Sequence, residues 1–158
     1  MIIQIDTREK PKAIQKILQD FREHDVKFYS SKLYAGDYMN PKKPDIVIDR
    51  KQNLSEICGN VGSSQELHDR FRDEIIRAND IGVKVIVLIE HGEGYKTLDD
   101  IKFWQNPRIK NHPKATNGPK LYKILHTMCQ RYDMDVILCD KEETGAKIRE
   151  LLDDNRGD

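Results

Sequence analysis

The chain has 158 residues, enough for one domain with a single core, and its 27 basic and 27 acidic side chains leave no net charge. This balance excludes a global basic field, so any nucleic-acid surface must be local. Three cysteines without metal-ligand spacing argue against a zinc site or a disulfide framework. No apolar run is long enough to span a bilayer, and we expect a cytoplasmic protein.

The first third of the chain predicts three strands and one helix. A short apolar strand over 2–5 precedes a helix whose apolar residues 14, 17, 18 and 21 recur at helical spacing. A second strand is predicted over 26–33. Gly36, Pro41 and Pro44 then mark turns that lead into a strand over 45–51.

The remaining elements predict a layered α/β fold. Asn53 with Glu56, and Ser63 with Glu66, are typical of helix N-caps. The β-branched run 83–89 indicates a central strand buried on both faces. Further elements follow: a short helix over 98–104, a helix over 121–132, a strand over 136–138 and a helix over 144–152. This order predicts an α/β/α sandwich with a mixed sheet in one domain over 1–152, followed by a flexible tail over 153–158.

The strand that ends in Asp49-Arg50-Lys51 is the most informative stretch. Side chains alternate along a strand, so Asp49 and Lys51 share a face and Arg50 points away. If Asp37 folds back across the turn, two carboxylates and one ammonium meet, as a Mg²⁺-dependent nuclease requires. The same pattern is typical of a hairpin that ends in solvated charges, and the spacing leaves both interpretations open.

A basic stretch follows Ile101. No acidic residue occurs from there to Tyr132, and the segment over about 105–120 contains three prolines, which predicts a basic loop before the helix. We expect this stretch to bind DNA phosphates, although a solvated face balanced by acids elsewhere would give the same pattern. The candidate DNA-binding residues are Arg108, Lys110, Lys114, Lys120, Lys123 and Arg131.

Other charged groups lie at predicted strand ends. The segment Asp6-Thr7-Arg8-Glu9 is either a solvated turn or part of a site where ligands bind in α/β sheets. We interpret Glu90 and His91 as structural, since nothing nearby in the sequence completes a site. Trp104 is expected in the core rather than stacked on a base.

Three motifs resemble the nuclease domain of the XPF family of structure-specific endonucleases. They are Asp6-Thr7-Arg8-Glu9, Gly36-Asp37-Tyr38 and Asp49-Arg50-Lys51. The family is typified, in this order, by Asp-x-Arg-Glu, Gly-Asp and Glu-Arg-Lys-x-x-x-Asp. The resemblance covers most of residues 2–91 and extends more loosely to the later elements.

The resemblance implies a restriction-endonuclease-like fold and Mg²⁺- or Mn²⁺-dependent cleavage of branched DNA, such as flaps or junctions, in recombination or repair. It implies that Asp37 and Asp49 bind the metal and that Lys51 lies beside the attacking water. It also implies a homodimer. The helicase and helix-hairpin-helix domains of larger members are not found, so we expect a nuclease domain alone, as in compact bacteriophage and bacterial members.

The resemblance also implies supporting roles for the other charged residues of the motifs. Arg50 would support the site or contact a phosphate, and Arg8 and Glu9 would lie at its edge.

Two departures from the family pattern keep an alternative open. Asp49 replaces the family's glutamate, and Ser55 stands at the family's final aspartate. The adjacent Glu56 either replaces that aspartate or only caps a helix. A non-catalytic DNA-binding relative is therefore the alternative to an endonuclease. A nucleotide- or small-molecule-binding domain is a third hypothesis, against which the lack of a phosphate loop argues.

Overall fold

A computed structural model describes residues 1–157 and contains one six-stranded sheet in the order β2-β1-β3-β4-β5-β6. Only β3 runs against the others, because it pairs antiparallel with both β1 and β4, while the remaining pairs are parallel. The carboxyl ends of five strands therefore share one edge, called here the carboxyl edge. The strands are β1 Ile2–Ile5, β2 Lys27–Ser30, β3 Tyr38–Met39, β4 Ile46–Lys51, β5 Lys84–Glu90 and β6 Met134–Cys139.

Helices cover both faces of the sheet, as predicted. Helices α1 and α5 bury Phe21 and Ile148 against one face, whereas α2, α3 and α4 bury Ile57, Ile75 and Leu125 against the other. The helices are α1 Gln15–Glu23, α2 Leu54–Gly62, α3 Gln65–Asp80, α4 Gly118–Arg131 and α5 Thr144–Leu151. The fold is thus an α/β/α sandwich of the restriction-endonuclease-like type, and the predicted fold class is confirmed.

Several predicted boundaries differ from the structure for local reasons. The N-cap of α3 is Ser64, whose hydroxyl accepts a hydrogen bond from Leu67 N–H, and the predicted cap Ser63 instead bonds back to the Gly59 carbonyl. The predicted second strand is shortened to Lys27–Ser30, after which Leu33 turns inward and donates its N–H to Asp6. The predicted short helix is a 3₁₀ helix, Leu98–Phe103.

The predicted tail contacts the loop that follows β3. Asn40 donates a 2.6 Å hydrogen bond to the Asp154 carboxylate, and Arg156 donates one of 2.7 Å to the Lys43 carbonyl. The last residue of the predicted tail, Asp158, lies outside the described residues. Within those residues, each helix is too short or too polar to cross a bilayer.

The turn before β3 depends on a glycine. Gly36 has a φ of +72°, a conformation that L side chains rarely adopt. A Cβ atom at this position would also lie 2.8 Å from the Cβ of Val47. The turn therefore packs directly on β4, and this close approach sets the position of the next residue, Asp37.

Candidate active site

Strand pairing brings two aspartates face to face at the carboxyl edge. Tyr38 pairs with Ile48, and in this antiparallel register Asp37 falls opposite Asp49. The Asp37 N–H donates a 2.7 Å hydrogen bond to the Ile48 carbonyl, and the Asp37 carboxylate accepts one of 2.8 Å from Arg50 N–H. The backbone of β4 thus fixes both ends of Asp37, so its carboxylate is held against the strand that carries Asp49.

Lys51 completes this group on the same face of β4. Its ammonium lies 3.4 Å from the Asp49 carboxylate and 5.4 Å from the centre of the Phe71 ring on α3. Ile48 packs with the opposite layer of helices, as the alternation of the strand requires. The predicted shared face of Asp49 and Lys51 is therefore confirmed.

Burial and neighbouring charges change the protonation of this group. Burial, with the charges of Asp49 and Glu9, raises the pKa of Asp37 to about 8. Burial also raises the pKa of Asp49 above its ordinary value. For Lys51, burial opposes the charged form, but the nearby carboxylates together outweigh it and raise the pKa. Lys51 is thus a cation and a hydrogen-bond donor at neutral pH.

A cleft of about 260 Å³ opens over this group. Glu56 and Glu74 also line it. Glu56 was the possible replacement for the family's final aspartate, whereas Glu74 was not predicted as part of a site. Glu56 has a local role as well, because its N–H is capped by Asn53 and its carboxylate accepts a hydrogen bond from Gln52 N–H. Glu56 therefore takes part in the cap of α2 and also lines the cleft. Ser55 does not line this cleft.

A buried ionic network lies behind the cleft, on the opposite face of the sheet. The Arg50 guanidinium donates hydrogen bonds of 2.6 and 2.9 Å to the two carboxylate oxygens of Glu9 and a third to Glu90. The other Glu90 oxygen accepts a 2.7 Å hydrogen bond from the hydroxyl of Thr144. All three charged side chains are at most about a tenth exposed. The network joins β4, β5, α5 and the turn after β1.

Glu90, interpreted from the sequence as structural, has its partners in this network. Parallel pairing of β4 and β5 sets Arg50 beside Leu88, two residues before Glu90. Arg50 therefore reaches along the sheet edge to Glu90. The sequence did contain a signal for this contact, because Glu90 ends the most apolar strand of the chain. A carboxylate in such a place is rarely buried without a cation nearby.

The first motif divides into a structural and an exposed part. Asp6 is fully buried and accepts hydrogen bonds from Leu33 N–H and from the Arg8 side chain. Burial favours the neutral form of Asp6, but these bonds outweigh it and lower the pKa. Arg8 remains 68% exposed at the rim of the cleft. The Arg8 guanidinium is thus open to a ligand, whereas Glu9 is committed to Arg50.

The predicted DNA-binding cations have no acidic partner. In the part of the chain that the structure describes, none of the six lies within 4 Å of a carboxylate oxygen, although many other cations of the chain are paired. Lys120 and Lys123 lie in the first turns of α4, near the carboxyl edge. Arg131 ends α4 just before β6 begins, so it lies at the opposite edge of the sheet. Trp104 is in the core.

The aspartate pair suits a hard divalent cation. Two adjacent carboxylates whose pKa values are both raised by burial are groups that a cation would relieve. Residues 1–157 contain no ready-made group of three or more Asp, Glu, His or Cys ligands. Mg²⁺ does not need one, because it commonly keeps several waters and takes only one or two carboxylates from the protein. Asp37 and Asp49 therefore fit a magnesium ion.

Comparisons with known proteins agree with the fold. The sequence profile described as the ERCC4 domain matches residues 5–151. The solved structure of XPF from Aeropyrum pernix is similar, with 17% identity over 96% of this chain and a TM-score of 0.67. The structure of XPF from Aeropyrum pernix in complex with DNA gives a TM-score of 0.65, also with 17% identity and 96% coverage. The chain spans about 63% and 62% of those two proteins. A comparison with curated protein sequences gave no match.

Removing the central cation of the buried network should strongly destabilise the fold. Arg50→Ala leaves Glu9 and Glu90 buried without a counter-charge, and we expect the free energy of unfolding to fall by about 3–5 kcal/mol. Urea unfolding at neutral pH measures this change. Arg70→Ala is the control, because Arg70 and Glu66 form an exposed pair whose loss should cost about 0–1 kcal/mol. Equal losses in the two variants would contradict the assigned role of Arg50.

Without metal, the raised pKa of Asp37 should make stability depend on pH. The folded protein keeps this proton up to about pH 8, whereas an unfolded aspartate loses it near 3.8. The proton on Asp37 therefore contributes its full stabilisation at pH values below the pKa of the unfolded state. This stabilisation is lost as the pH rises through the pKa of the folded state. We expect the free energy of unfolding in EDTA to decline from about pH 4 to 8, and Asp37→Asn to flatten the decline. An unchanged slope in the variant would contradict the assignment.

Divalent cations should reverse this loss. At pH 8 we expect Mg²⁺ or Mn²⁺ to raise the melting temperature by roughly 2–8 °C, because only the folded state holds the two carboxylates together. Thermal unfolding with and without EDTA measures the shift. Asp37→Asn and Asp49→Asn should abolish it, and Asp135→Asn, at the opposite edge of the sheet, should retain it. A shift that survives in both site variants would place the cation elsewhere.

Proposed function

The chain belongs to the ERCC4-domain family of nuclease domains, and from that membership we propose that it is a metal-dependent endonuclease. Its substrate would be branched DNA, such as flaps or junctions, cut during recombination or repair. The observation that carries the proposal is the pair of half-buried Asp37 and buried Asp49, face to face beside a charged Lys51. A carboxylate pair of this kind costs stability, and such groups occur mostly at functional sites.

Asp37 and Asp49 would hold Mg²⁺ or Mn²⁺. When bound, such a cation acts as a Lewis acid toward a phosphate oxygen and lowers the pKa of a coordinated water. Lys51 contributes a positive charge at the same cleft. Because its pKa is raised, Lys51 donates hydrogen bonds rather than accepting a proton. It is therefore suited to orient a water or to stabilise negative charge that develops on a phosphate.

The remaining motif residues would support these groups. Arg50 serves in two ways, since its backbone N–H binds the Asp37 carboxylate while its side chain anchors the strand end in the buried network. Glu9 lines the same cleft and holds Arg50 in place. Arg8, exposed at the rim and tethered to Asp6, is placed to contact a phosphate.

DNA is supported as the substrate by the unpaired cations of the basic stretch. Arg108, Lys110, Lys114, Lys120 and Lys123 would hold phosphates near the carboxyl edge. We leave Arg131 outside this surface because of its place at the opposite edge. The related XPF from Aeropyrum pernix was solved in complex with DNA, which also favours DNA. A homodimer would suit a symmetric junction, and we propose it as the assembled form.

Cleavage of defined DNA substrates tests this function. Labelled duplex, flap, splayed-arm and four-way-junction DNAs are incubated with the protein in Mg²⁺ or EDTA. We expect Mg²⁺-dependent cutting of one or more branched substrates, and a loss of about 10²-fold or more in Asp49→Asn, which lacks a charged ligand. Asp135→Asn is the matched control at the opposite edge and should cut normally.

Two results would overturn the proposal in different ways. Full Mg²⁺-dependent activity in Asp49→Asn would exclude the assigned site. Salt-sensitive binding of branched DNA without any cutting, in Mg²⁺ and in Mn²⁺, would favour a non-catalytic DNA-binding relative. That alternative draws its support from Ser55, which stands where the family has an aspartate.

A further inference from the structure

A second groove lies next to the catalytic cleft, between α2 and the basic segment. Its volume is about 200 Å³. One wall is a face of α2 made of small residues, which are Ser55, Gly59, Gly62 and Ser63. The opposite wall carries three side chains that are cationic or can become so, Arg108, His112 and Lys114. Ser55 lines this groove while its neighbour Glu56 lines the cleft, so the two openings meet at the first turn of α2.

The basic wall is fastened to α2. Asn106 is buried, and its side-chain amide donates a 2.8 Å hydrogen bond to the Thr116 carbonyl. The Thr116 hydroxyl in turn donates one of 2.7 Å to the Gly62 carbonyl at the end of α2. Within the segment, the His112 N–H bonds to the Arg108 carbonyl. These bonds fix the backbone that carries the cations, which lowers the conformational entropy lost when a ligand binds.

The charge of this groove is not neutralised by the protein. Over residues 1–157, Arg108, His112 and Lys114 all lack a carboxylate oxygen within 4 Å. The chain as a whole has equal numbers of acids and bases, so this is a local excess. An anion is the ligand that such a wall attracts.

The small-residue wall lets that anion approach closely. A Cβ atom at Gly59 would meet nothing within 4 Å, so the groove is open there. Glycine inside a helix lowers stability by roughly 0.5–1 kcal/mol relative to alanine. No packing contact in this structure requires a glycine at position 59. The Ser55 hydroxyl lies beside the gap, whereas the Ser63 hydroxyl is already bonded to the Gly59 carbonyl. A hydroxyl donor beside an open helix face suits a phosphate oxygen.

We propose that this groove binds the phosphodiester backbone of a single DNA strand that continues from the strand in the catalytic cleft. The proposal rests on the endonuclease function above and specifies how its substrate is held. The volume is smaller than the roughly 300 Å³ at which small-molecule pockets begin, so the groove admits one or two phosphates of one strand at a time.

Equilibrium binding of labelled DNA in EDTA tests the groove without cleavage. Fluorescence anisotropy compares a single-stranded oligonucleotide, a splayed arm and a duplex over a range of salt concentrations. Gly59→Glu places a carboxylate in the groove, and Gly59→Gln is its uncharged match in size. Lys114→Gln removes one cation, and Lys27→Gln removes an unpaired cation from the distant edge strand β2.

We expect Gly59→Glu to weaken binding of the single strand and the splayed arm about tenfold or more, and Gly59→Gln to weaken it clearly less. Lys114→Gln should lower the slope of log K against log salt by about 0.7, the value for one phosphate contact on a single strand. Lys27→Gln should match the wild type. Circular dichroism melting checks the fold, and both Gly59 variants should melt at or above the wild-type temperature because they improve the helix propensity of α2.

The outcomes separate the groove from the proposed function. If the wild type cuts branched DNA but Gly59→Glu and Lys114→Gln bind like the wild type, the groove proposal fails and the endonuclease stands. Equal weakening by Gly59→Gln and Gly59→Glu would also overturn it, because the effect would then be steric. If the wild type neither binds nor cuts DNA, both proposals fail.

Discussion

The antiparallel pairing of β3 with β4 is the constraint on which the candidate site depends. This pairing sets Asp37 opposite Asp49, where the Arg50 N–H holds the Asp37 carboxylate and the Lys51 ammonium lies beside that of Asp49. Only two residues of β3 pair in this way, Tyr38 and Met39. The turn at Gly36 maintains the register by packing directly on Val47. A one-residue slip would send Asp37 to the other face of the sheet and separate the pair.

The buried network of Arg50 connects the acidic cleft to the rest of the fold. Arg50 contributes its backbone N–H to Asp37 on one face of the sheet and its guanidinium to Glu9 and Glu90 on the other. One residue thus connects the acidic cleft to the turn after β1, to β5 and, through Thr144, to α5. Buried ion pairs contribute little net stability when compared with apolar packing, but they strongly penalise arrangements that leave one partner alone. The network therefore favours the single arrangement in which the strand ends meet.

The distribution of charge divides the carboxyl edge into two regions. Acidic groups face the cleft, where Glu56 and Glu74 accompany the aspartate pair. Unpaired basic groups line the neighbouring groove and the first turns of α4. Such a division suits a negatively charged chain that is held by cations while one of its phosphates lies against a metal ion. The zero net charge of the protein conceals this asymmetry.

Local patterns in the sequence were enough to predict the layered fold and the residues at the centre of the site. The hydrophobic period of each segment predicted the strands and helices, and strand alternation predicted that Asp49 and Lys51 share a face, because both properties follow from local backbone geometry. The motifs of the first 51 residues predicted the family. Local pattern also misplaced the cap of α3 by one residue, since Ser63 and Ser64 both have the required side chain and only the backbone conformation distinguishes them.

The contacts between segments that are distant in the sequence could not be predicted from local patterns. Glu90 follows Arg50 by 40 residues, and its burial against that arginine depends on the parallel register of β4 and β5. The groove beside α2 likewise exists because Asn106 and Thr116 fasten a segment that is some fifty residues away in the chain. The same structure separates Arg131 from the other basic residues, since the direction of α4 carries it to the opposite edge. Contacts of this kind depend on strand order and helix direction, which are set by packing over the whole domain and leave no periodic signal in the sequence.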